Sequence, residues 1–582
     1  MVKVCVVGAG LSGLTVAHEL IEKGFEVVVY EKHHTAGGMA RSEREKHNVP
    51  GEHSWRGYGP FYYNVFDIMK RIPIIENFGN NITFYKGEKY DLTPYINKHP
   101  GGSIIKNAIG KNVEEVWEKY GVKWHLKNNH VMKHLKELKV KENFKTSVYN
   151  NLTDLKFLLL RNKINLEDKI NKVNIFDLPY IAYLTIKNAS ANKRKEQYHQ
   201  ELIIPRLKKY MSKNGYKYFV NFLAGAGYGF DLNSMSYSHF FSFFEKNMYE
   251  KFKLWKVTTK PTNEAWINPW LKLLKQKGVS FHYNHELKQI VHLNNNIKNL
   301  LVNNKKIIAD EYCICINPYN MMKVLELSNL PKLYEQHQNL SIINNQISFR
   351  IGFSKKLNLL KKGYILVDTP YYISFYPQDE YFEDVDLGMD GKIKTLISGT
   401  ITQTYKPGSL YNQSATSLSR KKLMKEVVHQ IFESNEFMLL IPETTKKDII
   451  YAEVFNEWQY KNGRLESDNK KWVNTNYNEK YRPNQKTNIK NMYIGGGHTK
   501  TTTNVWTMES SVESGKLVSN LVLEKHNKEK AHIHHHQSSI IFRIIHPFDD
   551  LLYKLKLPSI VDIILVIGAI ILIKKEISYI KS

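Results

Sequence analysis

Apolar positions open the chain in a nearly continuous run, Val2-Lys-Val-Cys-Val-Val7, the pattern of a strand buried on both faces. Gly8 and Gly10 interrupt it, and an amphipathic stretch over Leu14–Lys23 follows, ended by Gly24. A second apolar run, Glu26–Tyr30, stops at an acid, Glu31. The first 80 residues thus read as strand, glycine turn, helix, strand and turn, an α/β opening. Residues 280–318 read as strand, hairpin, strand. The last apolar run, SIVDIILVIGAIILI over 559–573, is closed by Lys574 and Lys575. At about 1.5 Å per residue it falls short of the ~30 Å hydrocarbon core, and it contains Asp562. The stretch 540–558, with Arg543, Lys554 and Lys556, suits an interfacial segment that would assist it. Together they predict a C-terminal membrane anchor.

Composition narrows the class. With 582 residues, 24% charged and 42% hydrophobic, the chain is expected to fold into several domains. Cys5, Cys313 and Cys315 are its only cysteines, which excludes a disulfide scaffold and a multi-cysteine metal site and fits reduced thiols facing the cytosol. Cys313 and Cys315 share one strand face and read as packing. The net charge of +27 is spread through Lys- and Asn-rich sequence without an Arg-rich, aromatic-interleaved stripe, so no nucleic-acid partner is predicted. Met1 leads straight into a strand pattern, not into a targeting segment.

The strand, turn and helix at the start carry a dinucleotide fingerprint, Gly8-Ala-Gly10-Leu11-Ser12-Gly13. Gly8 serves the tight turn, Gly10 the approach to a pyrophosphate, and Gly13 close packing of helix on strand. The helix start at Leu11 and Ser12 offers unpaired N–H groups to phosphate. Glu31, with Lys32 beside it, is placed to accept hydrogen bonds from ribose hydroxyls. GAGYG at 225–229 lacks both the strand-to-helix context and an acidic partner.

The next turn, Thr35-Ala-Gly37-Gly38-Met39-Ala40-Arg41-Ser42, resembles that of the FAD-dependent amine oxidase and phytoene desaturase superfamily. The resemblance implies that Gly37, Gly38, Arg41 and Ser42 run under the flavin diphosphate. Two glycines allow backbone approach, and Arg41 offers a charged fork to phosphate. Asn491-Met-Tyr-Ile-Gly-Gly-Gly-His-Thr499, followed by Trp506-Thr-Met508-Glu509-Ser-Ser-Val512-Glu513-Ser-Gly515, is similar to the last flavin-binding segment of these enzymes. That similarity implies Gly496, Met508, Glu509 and Val512 at the flavin, with Gly497 and His498 where relatives carry an acid. Glu52–Gly59 follows the glycine turn and is expected near the flavin.

Between these segments, 83–145 departs from the flavoprotein pattern. Tyr90-Asp91-Leu92-Thr93 and then His99-Pro100-Gly101-Gly102 resemble a cytochrome b5-type haem domain. The resemblance implies His99 and His125 as axial ligands, with His130 and then His134 as alternatives to the second. A b5 fold without haem would keep the same core at Ile104, Ile105, Trp117, Tyr120 and Leu135. His532, His534, His535 and His536 read as polar linker.

The expected architecture is α/β: a Rossmann-like FAD-binding domain (1–82, 280–330, 451–526) and an α+β substrate domain (146–279, 331–450). To these are added an inserted small α+β cytochrome b5-like domain (83–145), a linker and interfacial segment (527–556) and a membrane helix (557–575). The expected cofactors are FAD and haem b. The expected activity is that of a dehydrogenase, desaturase or amine oxidase. Its substrate would be a hydrophobic or amine small molecule that gives a hydride to flavin N5, with electrons relayed through haem. Aromatic-rich stretches at 239–255, 265–274 and 371–382 would serve as core or as an apolar lining. No catalytic base is identifiable, and no second nucleotide fingerprint points to NAD(P)H. The rival reading is a flavohaem module passing electrons to a redox partner protein on the membrane. A flavin scaffold in a non-redox mutase is the third. Either enzyme would be membrane-anchored with its catalytic domains facing the cytosol.

Overall fold

The computed structural model describes residues 1–52, 56–72, 81–85, 88–92, 96, 99, 102–113, 116, 152–155, 177–216, 234–249, 255–340, 342–343, 346–360 and 363–581. Five parallel strands form the central sheet in the order Met492–Ile494, Glu311–Ile314, Lys3–Val7, Glu26–Tyr30, Ser280–His282. The strand that opens the chain lies in the middle with Val4, Cys5, Val6 and Val7 all buried, as its unbroken apolar run predicts. Helix Leu11–Ile21 starts three residues before the amphipathic pattern, because Gly10, extended at φ −75°, is its N-cap. It packs against helix Met508–Lys525. Gly8 holds φ +97°, and a Cβ on Gly13 would run into the Gly8 carbonyl oxygen, so the turn is restricted to glycine.

The strand, hairpin, strand reading of 280–318 is resolved as Ser280–His282, then the antiparallel Leu287–Leu293, Asn296–Val302 and Lys305–Ile307, then Glu311–Ile314. A second, antiparallel sheet runs in the order Tyr364–Leu366, Ile373–Pro377, Thr395–Ile401, Ile347–Phe353, Ile449–Val454. Helix Arg420–Glu433 covers its edge at Ile449–Val454. Arg350 reaches from this sheet to the Glu45 carboxylate and to the Glu52 carbonyl, the latter at 3.0 Å. Most of the aromatic density becomes core: Trp266 and Trp270 stack at 5.7 Å, and Phe240, Phe241, Tyr371 and Tyr381 are buried. The described part of the insertion holds a hairpin, Ile82–Tyr85 with Glu88–Asp91, and a turn of helix at Gly102–Ala108. Its small core comprises Tyr90, Leu92, Ile105, Ala108 and Val113, whereas Ile104 is exposed.

Past helix Met508–Lys525 the chain returns across the domain of the parallel sheet as a strap. Ala531 exchanges hydrogen bonds with Asn520, and His534 does the same with Asn64. Lys516 Nζ donates to the His532 carbonyl. His536 donates its N–H to Thr502 and sets Nε2 3.2 Å from Glu509. The histidine segment read from composition as a linker is therefore packed structure; its pattern is polar because it bonds through backbone and imidazole.

The membrane helix requires correction. A helix forms over Ile560–Lys581, but no helix among the described residues is long and apolar enough to cross a membrane. Its uncharged run, Ile563–Ile573, covers about 16 Å of the roughly 30 Å needed. Asp562 binds Lys187 Nζ at 2.8 Å and Tyr183 Oη at 2.6 Å on helix Asp177–Ser190. Upstream, helix Ile540–Lys554 is pinned by buried Asp549, 3.2 Å from Arg194, and turns Ile540, Ile544, Phe548 and Leu551 outward.

Ending the chain at Lys530 removes the strap's bonds to Asn64, Glu509 and Lys516, all fully buried. At about 1 kcal/mol for each lost hydrogen bond, and more where a buried group is orphaned, the 1–530 chain is expected to lose roughly 3 kcal/mol or more in urea unfolding. A chain ending at Ser539 retains that stability; equal stability of the two would contradict the role given to the strap.

Candidate functional site

The carboxyl ends of the parallel strands open on an elongated cavity of about 400 Å³. Two glycine turns form its head. Gly37 N donates to Ala9 O at 2.8 Å, and a Cβ on Gly38 would lie 2.9 Å from Gly10 Cα, so the turns meet backbone to backbone. Gly8, Gly10, Leu11, Ser12, Gly37 and Gly38 all line the cavity. This cradle suits a diphosphate: it combines a helix N-terminus with backbone unobstructed by side chains.

One end of the cavity is built for a ribose. Glu31 is buried, accepts from Ala9 N at 2.7 Å and from His33 N at 2.9 Å, and lines the wall with Lys32. Burial pushes its carboxyl above the usual range, although both backbone donors oppose this. Burial lowers Lys32, and lowers His33 to about 4. Asn317, Asn320 and Lys323 complete this end.

The opposite end receives the start of helix Met508–Lys525, whose N-cap Thr507 accepts from Ser510 N at 3.3 Å. Gly496, at φ +137°, and Met508 line the wall. Glu509 does not: its carboxylate accepts from Asn64 N at 2.9 Å and Val65 N at 2.9 Å and so caps helix Tyr63–Arg71. Val512 is core, and Gly13 lies behind the cradle against Gly8. Arg41 also lies outside the wall, donating to Gly38 O at 3.0 Å and Glu457 at 3.3 Å. The arginine that does line the cavity is Arg56, which donates to the Met39 carbonyl and, at 3.3 Å, to Glu52. Ser42 exchanges 2.7 Å bonds with Asn263.

Tyr62, Gln346 and Thr400 line the cavity from distant parts of the chain with no motif to announce them, and Trp255 and Ser374 come from two of the aromatic-rich stretches. Trp506 and His498 stand beside the second glycine-rich turn. Burial holds His498 far below the usual imidazole range and its neighbour His337 at about 4, so both are neutral. Cys5 and Cys315 are pushed up to about 12 by burial, which makes them inert thiols. In the inserted domain the structure describes His99, half-buried, three residues before the turn Gly102–Ala108. His125, His130 and His134 lie outside the described residues.

Comparison with known proteins matches two parts of the chain to domain families. Residues 6–72 match the NAD(P)-binding Rossmann-like domain family, and residues 79–142 match the cytochrome b5-like heme/steroid binding domain family. The zeta-carotene desaturase of Capsicum annuum is 37% identical over 78 residues, 13% of this chain and 13% of that protein. The chain therefore spans only a small part of the length of the curated desaturases it matches. A cytochrome b5-like protein of Acanthamoeba polyphaga mimivirus is 42% identical over 53 residues, 9% of this chain and 40% of that protein. Among solved structures, cyclohexylamine oxidase from Brevibacterium oxydans aligns with TM-score 0.51 and 12% identity, covering 90% of this chain and 100% of its own. A putrescine oxidase aligns with TM-score 0.53 and 11% identity over 90% and 99%. These structures share the fold. The chain thus joins an FAD-type Rossmann domain to an inserted cytochrome b5-like domain, and FAD and haem are the cofactors of the two.

The glycines separate cofactor binding from folding. Gly10 has an ordinary φ, and a Cβ there would meet only Gly38 Cα at 3.8 Å. Gly10→Val is expected to fold, with unchanged circular dichroism, and to lose FAD at least 10-fold in affinity. Gly13→Val is expected to unfold the domain. Full flavin occupancy in purified Gly10→Val would contradict the placement of the diphosphate.

Proposed function

We propose that this chain is an FAD-dependent oxidoreductase that dehydrogenates a neutral, hydrophobic substrate of isoprenoid or sterol-like kind and exchanges the electrons with its cytochrome b5-type haem. One observation favours this over an amine. Arg56 and three aromatic side chains, Tyr62, Trp255 and Trp506, line the cavity, and the carboxylates behind them are already engaged, Glu52 by Arg56 and Thr262 and Glu509 by Asn64 and Val65. A protonated amine there would lack a free counter-ion.

FAD, when bound, supplies a two-electron acceptor, and haem a one-electron carrier. The chain's own residues bind and orient. Glu31 is placed to accept from ribose hydroxyls, and the unpaired N–H groups at Leu11 and Ser12 face the diphosphate cradle. The positive end of the helix dipole at Met508 favours negative charge at the wall it faces. The tryptophans and Tyr62 exclude water from the reacting end. Dehydrogenation of a C–C bond releases a hydride and a proton; the buried His498 is a weak base there, so the proton leaves to solvent.

The full-length holoprotein, mixed anaerobically with isoprenoid polyenes in lipid vesicles, is expected to show flavin bleaching followed by haem reduction, and to stay oxidised with putrescine or cyclohexylamine. Amine turnover with peroxide release would overturn this reading. Reduction by neither class, with rapid electron exchange with a partner protein, would favour the flavohaem relay.

We also propose that helices Ile540–Lys554 and Ile560–Lys581 lie in one face of a bilayer instead of crossing it. The outward stripe of Ile540, Ile544, Phe548 and Leu551 and the basic residues Arg543, Lys554 and Lys556 support this. Binding to phosphatidylserine vesicles in flotation is expected to weaken with salt and to fall at least 10-fold in Ile544→Asp/Phe548→Asp. Resistance to alkaline carbonate extraction would contradict the in-plane arrangement.

A further inference from the structure

Outside the cavity wall, three metal-ligating side chains from separate segments converge. They are His199 near the end of helix Lys195–Gln200, His239 on helix Tyr237–Tyr249 and Glu479 in the turn Glu479–Tyr481. One ligand atom of each lies within 4.8 Å of the other two. His239 is fully buried and places Nε2 2.9 Å from Glu479 Oε2. The two imidazole rings are 4.4 Å apart between centroids and inclined at 49°.

The Nδ1 atoms of both histidines are buried and have no hydrogen-bond partner among the described residues. Two such nitrogens in one cluster beside a carboxylate leave donor positions that an ion can take. Two imidazole nitrogens and a carboxylate oxygen form the donor set that zinc takes with a fourth position left open. Against the roughly 3.3 Å ligand spacing of a four-coordinate site, one edge of the triangle is 2.9 Å and the others lie within 4.8 Å, and rotation of the His199 and Glu479 side chains, both only half-buried, would adjust it. That partial exposure also gives an ion a way in. Arg482 Nη1, 3.2 Å from Glu479 Oε2, competes for the carboxylate. The guanidinium is also held by the carbonyl oxygens of His498 and Thr499, which absorb part of its charge.

We infer that His199, His239 and Glu479 form a site for one divalent transition-metal ion of the zinc type, which ties the two helices to the segment leading into the turn at Gly496–Thr499. The inference is independent of the substrate proposed above.

The test uses the full chain, dialysed against EDTA and reloaded with ZnCl2. Wild type is expected to retain one zinc per chain after gel filtration, to show two imidazoles per zinc in K-edge EXAFS, and to melt at a higher temperature with zinc than without. His199→Gln, at a half-buried position, is expected to lower retained zinc at least 10-fold and abolish the rise in melting temperature. His532→Gln/His535→Gln, which alters the exposed histidines of the strap, is expected to change neither. No retained zinc in wild type, retention unchanged in His199→Gln, or loss of zinc with the strap variant would each overturn the site. Should His199→Gln fail to fold, fewer than two imidazoles per zinc in wild type overturns it alone.

Discussion

The head of the cavity depends on backbone meeting backbone with no Cβ between. Gly13 sits against the carbonyl of Gly8, and Gly38 sits against Gly10. The first contact presses helix Leu11–Ile21 onto strand Lys3–Val7, and the second brings the turn after Glu31 beside the turn before the helix. A Cβ on Gly13 would lie 1.9 Å from the Gly8 carbonyl oxygen and one on Gly38 2.9 Å from Gly10 Cα, so a side chain at either of these two positions would force the backbones apart. From this contact follow the direction of the helix N-terminus, the position of Glu31 and the course of the cavity between the two turns.

Away from the glycines, order comes from buried carboxylates that accept backbone N–H groups of remote segments. Glu31 holds Ala9 and His33, Glu52 holds Thr262, Glu509 holds Asn64 and Val65, Glu513 holds Thr502 and Thr503, and Glu426 holds Leu410 and Tyr411. Each carboxylate satisfies donors that a buried loop would otherwise leave orphaned. A chain with net charge +27 thus spends part of its small stock of acid inside, which leaves its surface more basic than its composition alone implies.

The local elements at the start of the chain were legible because periodicity and glycine spacing act over fewer than ten residues. Strand Glu26–Tyr30 falls where the pattern places it, and helix Leu11–Ile21 begins three residues early, where the extended Gly10 caps it, and ends two residues before the pattern does. The roles of Arg41 and Glu509 were less legible. Their side chains are committed to Glu457 and Asn64, 416 and 445 residues away, and no local pattern encodes a partner at that separation. The strap was hidden for a related reason: a polar segment that bonds through its backbone has the composition of a linker. The C-terminal helix was legible as a helix but not as a docked one, since only the fold brings Lys187 to Asp562.

The strand order has a consequence for synthesis. Lys3–Val7 pairs with Glu26–Tyr30 on one side, but its other neighbour, Glu311–Ile314, leaves the ribosome about 280 residues later. At roughly 5–20 residues per second that interval lasts on the order of tens of seconds. Throughout it the most apolar strand of the nascent chain has one edge unpaired, so the emerging protein depends on a holding chaperone or on temporary cover from its own later segments.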